Sequence, residues 1–437
     1  MASVGKTVGA AVDMGAFSLA DGGCRRWSVG APGRYTAPRG TSSASPVYPL
    51  VDRFPRTMRL AYLDNLRVIL VVGVIAVHTA IVYGVDGSFY LEAYEEMGSG
   101  GVAVITVFVA VGFLFGLGAF FLIAGRLSGP SLDHKGPRPF VRDRLIRLGI
   151  PVVFYVLVIA PPMEYAKYRE EGGHGGFLPY ARDQLTDPAL GPTWFLEALL
   201  AFSLAYGLVR RLRPARGQPS RDPLRGKQVA GVAVAIAVLS FATHLVVPYG
   251  EEHLHIQFAL FPQYAILFGL GCAAGRRGWL ETLTPELRRR CGIAGMAGVV
   301  ALAALLLAGG FTDGEAERNL YAGGWHWQAA GTSLVEGALA ATLPLFLIGW
   351  FRVHGSRQGR LLRRMAPSAY AAFVIHPPLV VGLALTLHRV ALPAEAKFAS
   401  VLVGAVAGSF AITALAMRIP AVGRISGRRR ELASARA

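Results

Sequence analysis

The chain has 437 residues, 53% hydrophobic and only 16% charged, with a formal net charge of +17. A soluble chain carries about a quarter charged residues, so this composition excludes an ordinary globular enzyme and points to a membrane protein. The basic excess is not a nucleic-acid footprint, because Lys and Arg gather at the ends of apolar runs and not on a polar domain of their own.

Residues 1–57 are rich in Gly, Ser, Pro and Arg and lack the apolar core of a secretory signal. They are expected to be a disordered cytoplasmic tail. The pair Arg25–Arg26 has no apolar run behind it, which argues against a twin-Arg signal. Met58 stands directly before RLAYLDNLR and is a candidate for the true start. From residue 60 to residue 418, apolar runs of about twenty residues recur, each long enough to cross a bilayer as a helix. They predict ten spans near residues 60–84, 101–127, 148–166, 193–211, 229–248, 258–276, 291–310, 330–351, 368–388 and 397–418. The fold class is therefore all-α, a polytopic transmembrane bundle over residues 58–420, followed by a basic tail over 421–437.

The 44 Lys and Arg are distributed unevenly. The two terminal segments and the loops after spans 2, 4, 6 and 8 hold 37 of them, whereas the other loops hold six. The remaining one, Arg67, lies inside span 1. By the positive-inside rule this asymmetry predicts both termini in the cytoplasm of a cell whose inner or plasma membrane holds the protein.

Span 1, LDNLRVILVVGVIAVHTAIVYG, carries Asp64, Arg67 and His78. Polar groups at such depth are costly and mark functional sites more often than not. Arg67 and His78 are eleven residues apart, about three helical turns, so they share a face and differ in depth by about 16 Å. Asp64 lies on the same side and is placed to pair with Arg67. The stripe outlines a polar path from a charged inner mouth to a titratable group past the midplane.

The remaining signals follow in chain order. Gly112 and Gly116 in span 2 form a small-xxx-small pair, expected to bring helices close. Arg142, Arg144 and Arg147 gather where span 3 begins; Arg clusters at helix N-termini suit phosphate groups. Span 4 opens as PTWFLE, placing Trp194 beside the intramembrane Glu197. The run GLGCAAG, 269–275, lacks the strand of a dinucleotide turn and reads as helix-packing small residues. Trp325, His326 and Trp327 form an outer-loop triplet suited to an aromatic interface belt or to stacking on a sugar. Glu336 is a second buried acid. His376 precedes Pro377 and Pro378, where a helix break is expected. Cys24, Cys272 and Cys291 form no disulfide or zinc pattern, and no metal motif is present in the sequence.

YLDNLRVILVVGVIAVH, with its R-x10-H pattern, resembles the opening helix of the integral-membrane acyltransferase-3 family. FVRDRLIRLGIP, with Arg144 and Arg147 as R-x-x-R, is similar to that family's basic motif. PTWFLE and SAYAAFVIH resemble its fourth-span opening and its late Ser-Tyr-x-x-Tyr-x-x-His stretch, although Ala371 and Phe373 change the aromatic pattern. Span 2 keeps Phe120, Phe121 and Gly125 of the Phe-Phe-x-x-x-Gly ending but departs from the family's Gly-Gly-aromatic start. In general texture the chain resembles glucan-modifying members of the succinyltransferase type.

The resemblance implies a ten-span O-acyltransferase that takes an acyl group from acetyl-CoA or succinyl-CoA and hands it to a hydroxyl of a carbohydrate or envelope glycan. It implies no metal and no nucleic-acid partner. Arg144, Arg147 and Arg142 are then expected to hold the acyl-CoA phosphates, and Arg67 to bind or orient the donor. His78 is expected to act as a general base or as an acyl-imidazole carrier. Glu197 is expected to orient His78 or meet the acceptor, with Trp194 and His376 lining the substrate site. A multi-span transporter or exporter of a small acylated or sugar compound is the rival reading. Transporters often carry inverted repeats with broken helices, and none is visible between residues 60–248 and 258–418.

Overall fold

The computed structural model describes residues 61–425 except 86, 88, 93, 96, 187, 214–221, 252–256 and 312. The N-terminal tail with Met58 and most of the basic tail lie outside the described residues. Within them, ten helices are long and apolar enough to cross a membrane. They are spans 1 to 10 in order: Ala61–Val82, Ser99–Lys135, Pro137–Glu170, Gly191–Leu212, Gly226–His244, Phe258–Arg277, Pro285–Ala308, Trp327–His354, Arg360–His388 and Ala394–Ala416. A bilayer core offers no water to the backbone, so each span must satisfy its own amide groups as a helix. The number and order of the spans agree with the hydropathy pattern.

Spans 2 and 3 are longer than their apolar runs. Span 2 continues as helix through Pro130 to Lys135. It ends only at Gly136, whose φ of 76° stops the helix, and Pro137 starts span 3 at once. The apolar run marks the part in hydrocarbon; the helix ends where glycine and proline end it. Both spans contain π-helical turns, at Gly112–Gly116, Leu145–Gly149 and Tyr155–Ile159. Such one-turn bulges occur often at functional sites.

Span 1 is mostly buried and touches spans 2, 8, 9 and 10, so its polar stripe faces protein. Large aliphatics in other spans, such as Val158, Val300 and Val403, are exposed, as a lipid-facing surface requires. Spans 2 and 6 approach most closely. A side chain on Gly125 would collide with the Phe268 carbonyl, one on Gly271 with that of Leu122, and one on Gly275 with that of Arg126. The packing expected of GLGCAAG is therefore present, in a GxxxG contact between backbones. The role expected of Gly112 and Gly116 is corrected at Gly116. No atom lies within 4 Å of the position of a Gly116 side chain, and only Val77 lies that close at Gly112. Both line a cavity, but a side chain at Gly112 would press on Val77 of span 1 at 3.2 Å, so close helix approach holds there and fails at Gly116.

Candidate active site

A cavity of about 440 Å³ runs along span 1 from Leu66 to His78 and on to the C-terminal part of span 3 and the N-terminal end of span 4. Its half towards Leu66 is apolar, walled by Leu66, Ile69, Leu70 and Gly73 of span 1 and by the π-turn of span 2. Its half towards His78 carries the polar groups: His78, Tyr90, Glu164, Lys167 and Gln257, together with Trp194. The cavity beside span 1 reaches His78, but Arg67 and Asp64 do not line it, so the expected polar path from a charged mouth is seen only at its His78 end.

His78 is held on two sides. Its ring stacks on Phe89 at 4.7 Å between centroids and 12° between planes. Its Nδ1 lies 2.7 Å from Nε2 of His376 in span 9, with the two rings nearly parallel at 4°. His376 Nδ1 is 2.7 Å from the Phe373 carbonyl oxygen. A carbonyl only accepts, so His376 Nδ1 carries a proton. In the neutral imidazole, His376 Nε2 is then an acceptor, and His78 Nδ1–H donates to it. That leaves His78 Nε2 with a lone pair and free for the cavity, because the Nδ1 edge is turned to His376, which does not line it.

The sequence around His376 explains this chain of bonds. The Phe373 carbonyl would normally accept from the N–H four residues on, but that residue is Pro377. The histidine ring occupies the vacated acceptor. Span 9 runs as helix through both Pro377 and Pro378, so the expected break is absent. His376 is fully buried and outside the cavity wall, which places it behind His78 and not among groups able to touch a substrate.

The segment between spans 1 and 2 carries Phe89 and is tied down at several points. Glu95 accepts from Lys397 Nζ at 2.7 Å and pairs with His388 Nδ1 at 2.7 Å. The Gly98 amide donates to Glu395 at 2.9 Å. Tyr94 donates to Glu170 at 3.1 Å; burial, and then that carboxylate, push its phenol up to about 12, so it remains a donor at neutral pH.

The basic residues converge at the other end. Arg67 pairs with Asp64 at 3.0 Å. Arg144 Nη2 donates to Ser128 at 3.2 Å, its guanidinium lies over the Phe140 ring at 5.0 Å, and its buried Nε has no hydrogen-bond partner among the described residues. It feels the charges of Asp143, Arg147 and Arg67. Arg147 Nε is 3.0 Å from Asp143, and its backbone carbonyl accepts from Tyr370 of span 9 at 2.6 Å. Arg142 is exposed. Arg67, Arg144 and Arg147 thus share one electrostatic neighbourhood, with Arg142 outside it. Arg144 precedes the cavity-lining Glu164 by twenty residues, about 30 Å of helix. The guanidinium groups and the polar half of the cavity therefore occupy opposite ends of the bundle.

A family model described as an acyltransferase domain, acyltransferase-3, matches residues 60–418. The chain belongs to this family. No curated protein and no solved structure matches it. The protein is accordingly a membrane-embedded acyltransferase, with an acyl donor and an acceptor implied by its family.

The acyltransferase brings some sequence candidates together and leaves others apart. His78 and Trp194 share the cavity. Glu197 does not line it, and among the described residues no hydrogen bond joins Glu197 to His78. Glu336 accepts from Ser240 at 2.9 Å and Tyr249 at 2.7 Å in a separate buried network. Trp325 and Trp327 are exposed and outside the cavity, and Trp325 stands edge-on to Phe241 at 5.7 Å. No group of three or more His, Cys, Asp or Glu among the described residues is arranged to hold a metal. Sequence reasoning missed Phe89 and Tyr90. They sit in a polar loop, and nothing local in SFYLEAYEEM shows that it folds back onto His78.

Proposed function

We propose that this acyltransferase moves an acyl group from acyl-CoA at the cytoplasmic face to a hydroxyl of a carbohydrate or envelope glycan. Both termini are cytoplasmic in this reading, as the distribution of Lys and Arg requires. Arg144 and Arg147 hold the donor's phosphates, with Arg67 beside them. The pantetheine arm lies in the apolar inner half of the cavity and delivers the thioester to the level of His78. The acceptor enters from the outer half, where Trp194 offers a ring face to a sugar and Glu164, Lys167 and Gln257 offer polar contacts.

The observation that carries this reading is the relay from the Phe373 carbonyl through His376 to His78, which supports Nε2 as a base of fixed tautomer. The acceptor hydroxyl gives its proton to Nε2 as its oxygen attacks the thioester carbon. The C–S bond then breaks, and the CoA thiolate takes the proton from the imidazolium. A base so placed contributes about 10²–10⁴-fold.

The test uses membranes containing the full chain, supplied with labelled acetyl-CoA or succinyl-CoA. Label should pass to membrane glycan with the wild type and not with His78→Ala. Transfer that survives His78→Ala would overturn the assignment. A stable labelled protein intermediate would replace the base with an acyl-imidazole carrier.

A further inference from the structure

Two tyrosine hydroxyls meet at the cavity wall. Tyr90 lines the cavity one residue after Phe89, which stacks on His78 and stands edge-on to Tyr90 at 5.3 Å. The Tyr90 hydroxyl lies 2.7 Å from that of Tyr155, in the π-turn of span 3. Tyr155 is fully buried, does not line the cavity, and has no other hydrogen-bond partner among the described residues.

Each phenol carries one proton, and only one of the two can lie between the oxygens. If Tyr90 donated to Tyr155, the Tyr155 proton would be buried without an acceptor, an arrangement that folded proteins avoid. Tyr155 therefore donates to Tyr90, and the Tyr90 O–H is turned towards the cavity. Accepting a hydrogen bond polarises that O–H and makes it a stronger donor. Gly191 completes the arrangement. Its φ is +45°, and any side chain there would collide with both hydroxyls, so the glycine that opens GPTW leaves the room they need.

We infer that Tyr90 is a further catalytic residue, the hydrogen-bond donor to the thioester carbonyl oxygen and to the oxyanion formed from it, and that Tyr155 is its positioning residue. This rests on the reading of His78 as the base of an acyl transfer from acyl-CoA. The step balances within the cavity. The acceptor O–H proton passes to His78 Nε2, and the new C–O bond places the carbonyl electron pair on oxygen, where Tyr90 O–H meets it. The pair then returns as the C–S bond breaks. Donors fixed in this way act on charge that develops only in the transition state, so their loss lowers kcat more than it raises KM.

The probe is [1-13C]acetyl-CoA bound to the purified full chain, followed by the infrared stretch of its labelled carbonyl. Binding to the wild type should lower that frequency. Tyr90→Phe should abolish the downshift while still binding the donor, and Tyr155→Phe should shrink it. His78→Ala should retain it, since the base does not touch the carbonyl oxygen. In parallel, Tyr90→Phe should lower kcat about 10²–10³-fold with KM little changed. An undiminished downshift and normal kcat in Tyr90→Phe, with His78→Ala inactive, would overturn this inference and leave the base assignment standing. Failure of the wild type to bind acetyl-CoA, with succinyl-CoA also failing to compete, would overturn the acyl-CoA reading and this inference with it.

Discussion

His376 holds His78 at 2.7 Å from behind, and the proton positions of both rings are set by a carbonyl that Pro377 leaves without a backbone partner. The relationship lets a His-Pro-Pro sequence set the tautomer of His78, the proposed base. It is the logic of a base oriented by a second group, built here from two imidazoles and one peptide oxygen.

His376→Leu should therefore impair catalysis without touching the substrate. His78 would lose the acceptor for its Nδ1–H and would be free to adopt the other tautomer. We expect kcat to fall by about 10²–10⁴-fold, with donor KM and the yield of folded protein near wild type. Equal losses in kcat and in folded protein would show a packing role instead. A comparable fall after Pro377→Ala would support the same account, because the restored amide competes for the Phe373 carbonyl.

Arg144 and Arg147 should govern donor affinity. Each charge-assisted hydrogen bond to phosphate is worth about 1.5–3 kcal/mol, or roughly a tenfold to hundredfold rise in KM when it is removed. Arg144→Ala and Arg147→Ala should raise the KM for acyl-CoA by that amount with kcat less affected. Arg144→Lys should rescue poorly, because a lysine cannot repeat the fork and the ring contact with Phe140. Arg142→Ala should change little, since that side chain is exposed and apart from the cluster. Equal effects at all three positions, measured by donor titration, would contradict this division.

The ten spans were legible because hydropathy reports residence in hydrocarbon directly. The polar face of span 1 was legible for a similar reason: Arg67 and His78 are costly there and helical periodicity aligns them. The extra lengths of spans 2 and 3 were hidden, since the continuation beyond the apolar runs is polar and only Gly136 and Pro137 end it. His376 was visible as a polar residue, but its distance from His78 is a matter of packing between spans 1 and 9. Tyr90 and Tyr155 left no signal because tyrosine is ordinary in a loop between spans and within a span. Glu197 stood out as an intramembrane acid, yet it does not line the cavity.

The orientation has its own test. A reporter that is active only in the cytoplasm should be active when fused after residue 213 or at the C-terminus, and inactive when fused after residue 250 or 310. The prediction rests on the 37 basic residues assigned to one side against six on the other. The reverse pattern would place the guanidinium cluster outside, away from any cytoplasmic acyl-CoA, and would remove the donor assignment with it.

Two glycines should respond in opposite ways to the same kind of change. At Gly271 a side chain would strike the Leu122 carbonyl in the backbone of span 2, so there is nothing flexible to yield. Gly271→Val should destabilise by at least about 2 kcal/mol and lower the yield of monodisperse protein in detergent. At Gly116 no atom lies within 4 Å, and the space is the cavity itself. Gly116→Leu should therefore fold normally. It should also narrow the inner half of the cavity, where the pantetheine arm is placed, and so reduce turnover sharply with acyl-CoA of any chain length. Folded, fully active Gly116→Leu protein, judged by size-exclusion profile and donor consumption, would show that the donor does not take this route.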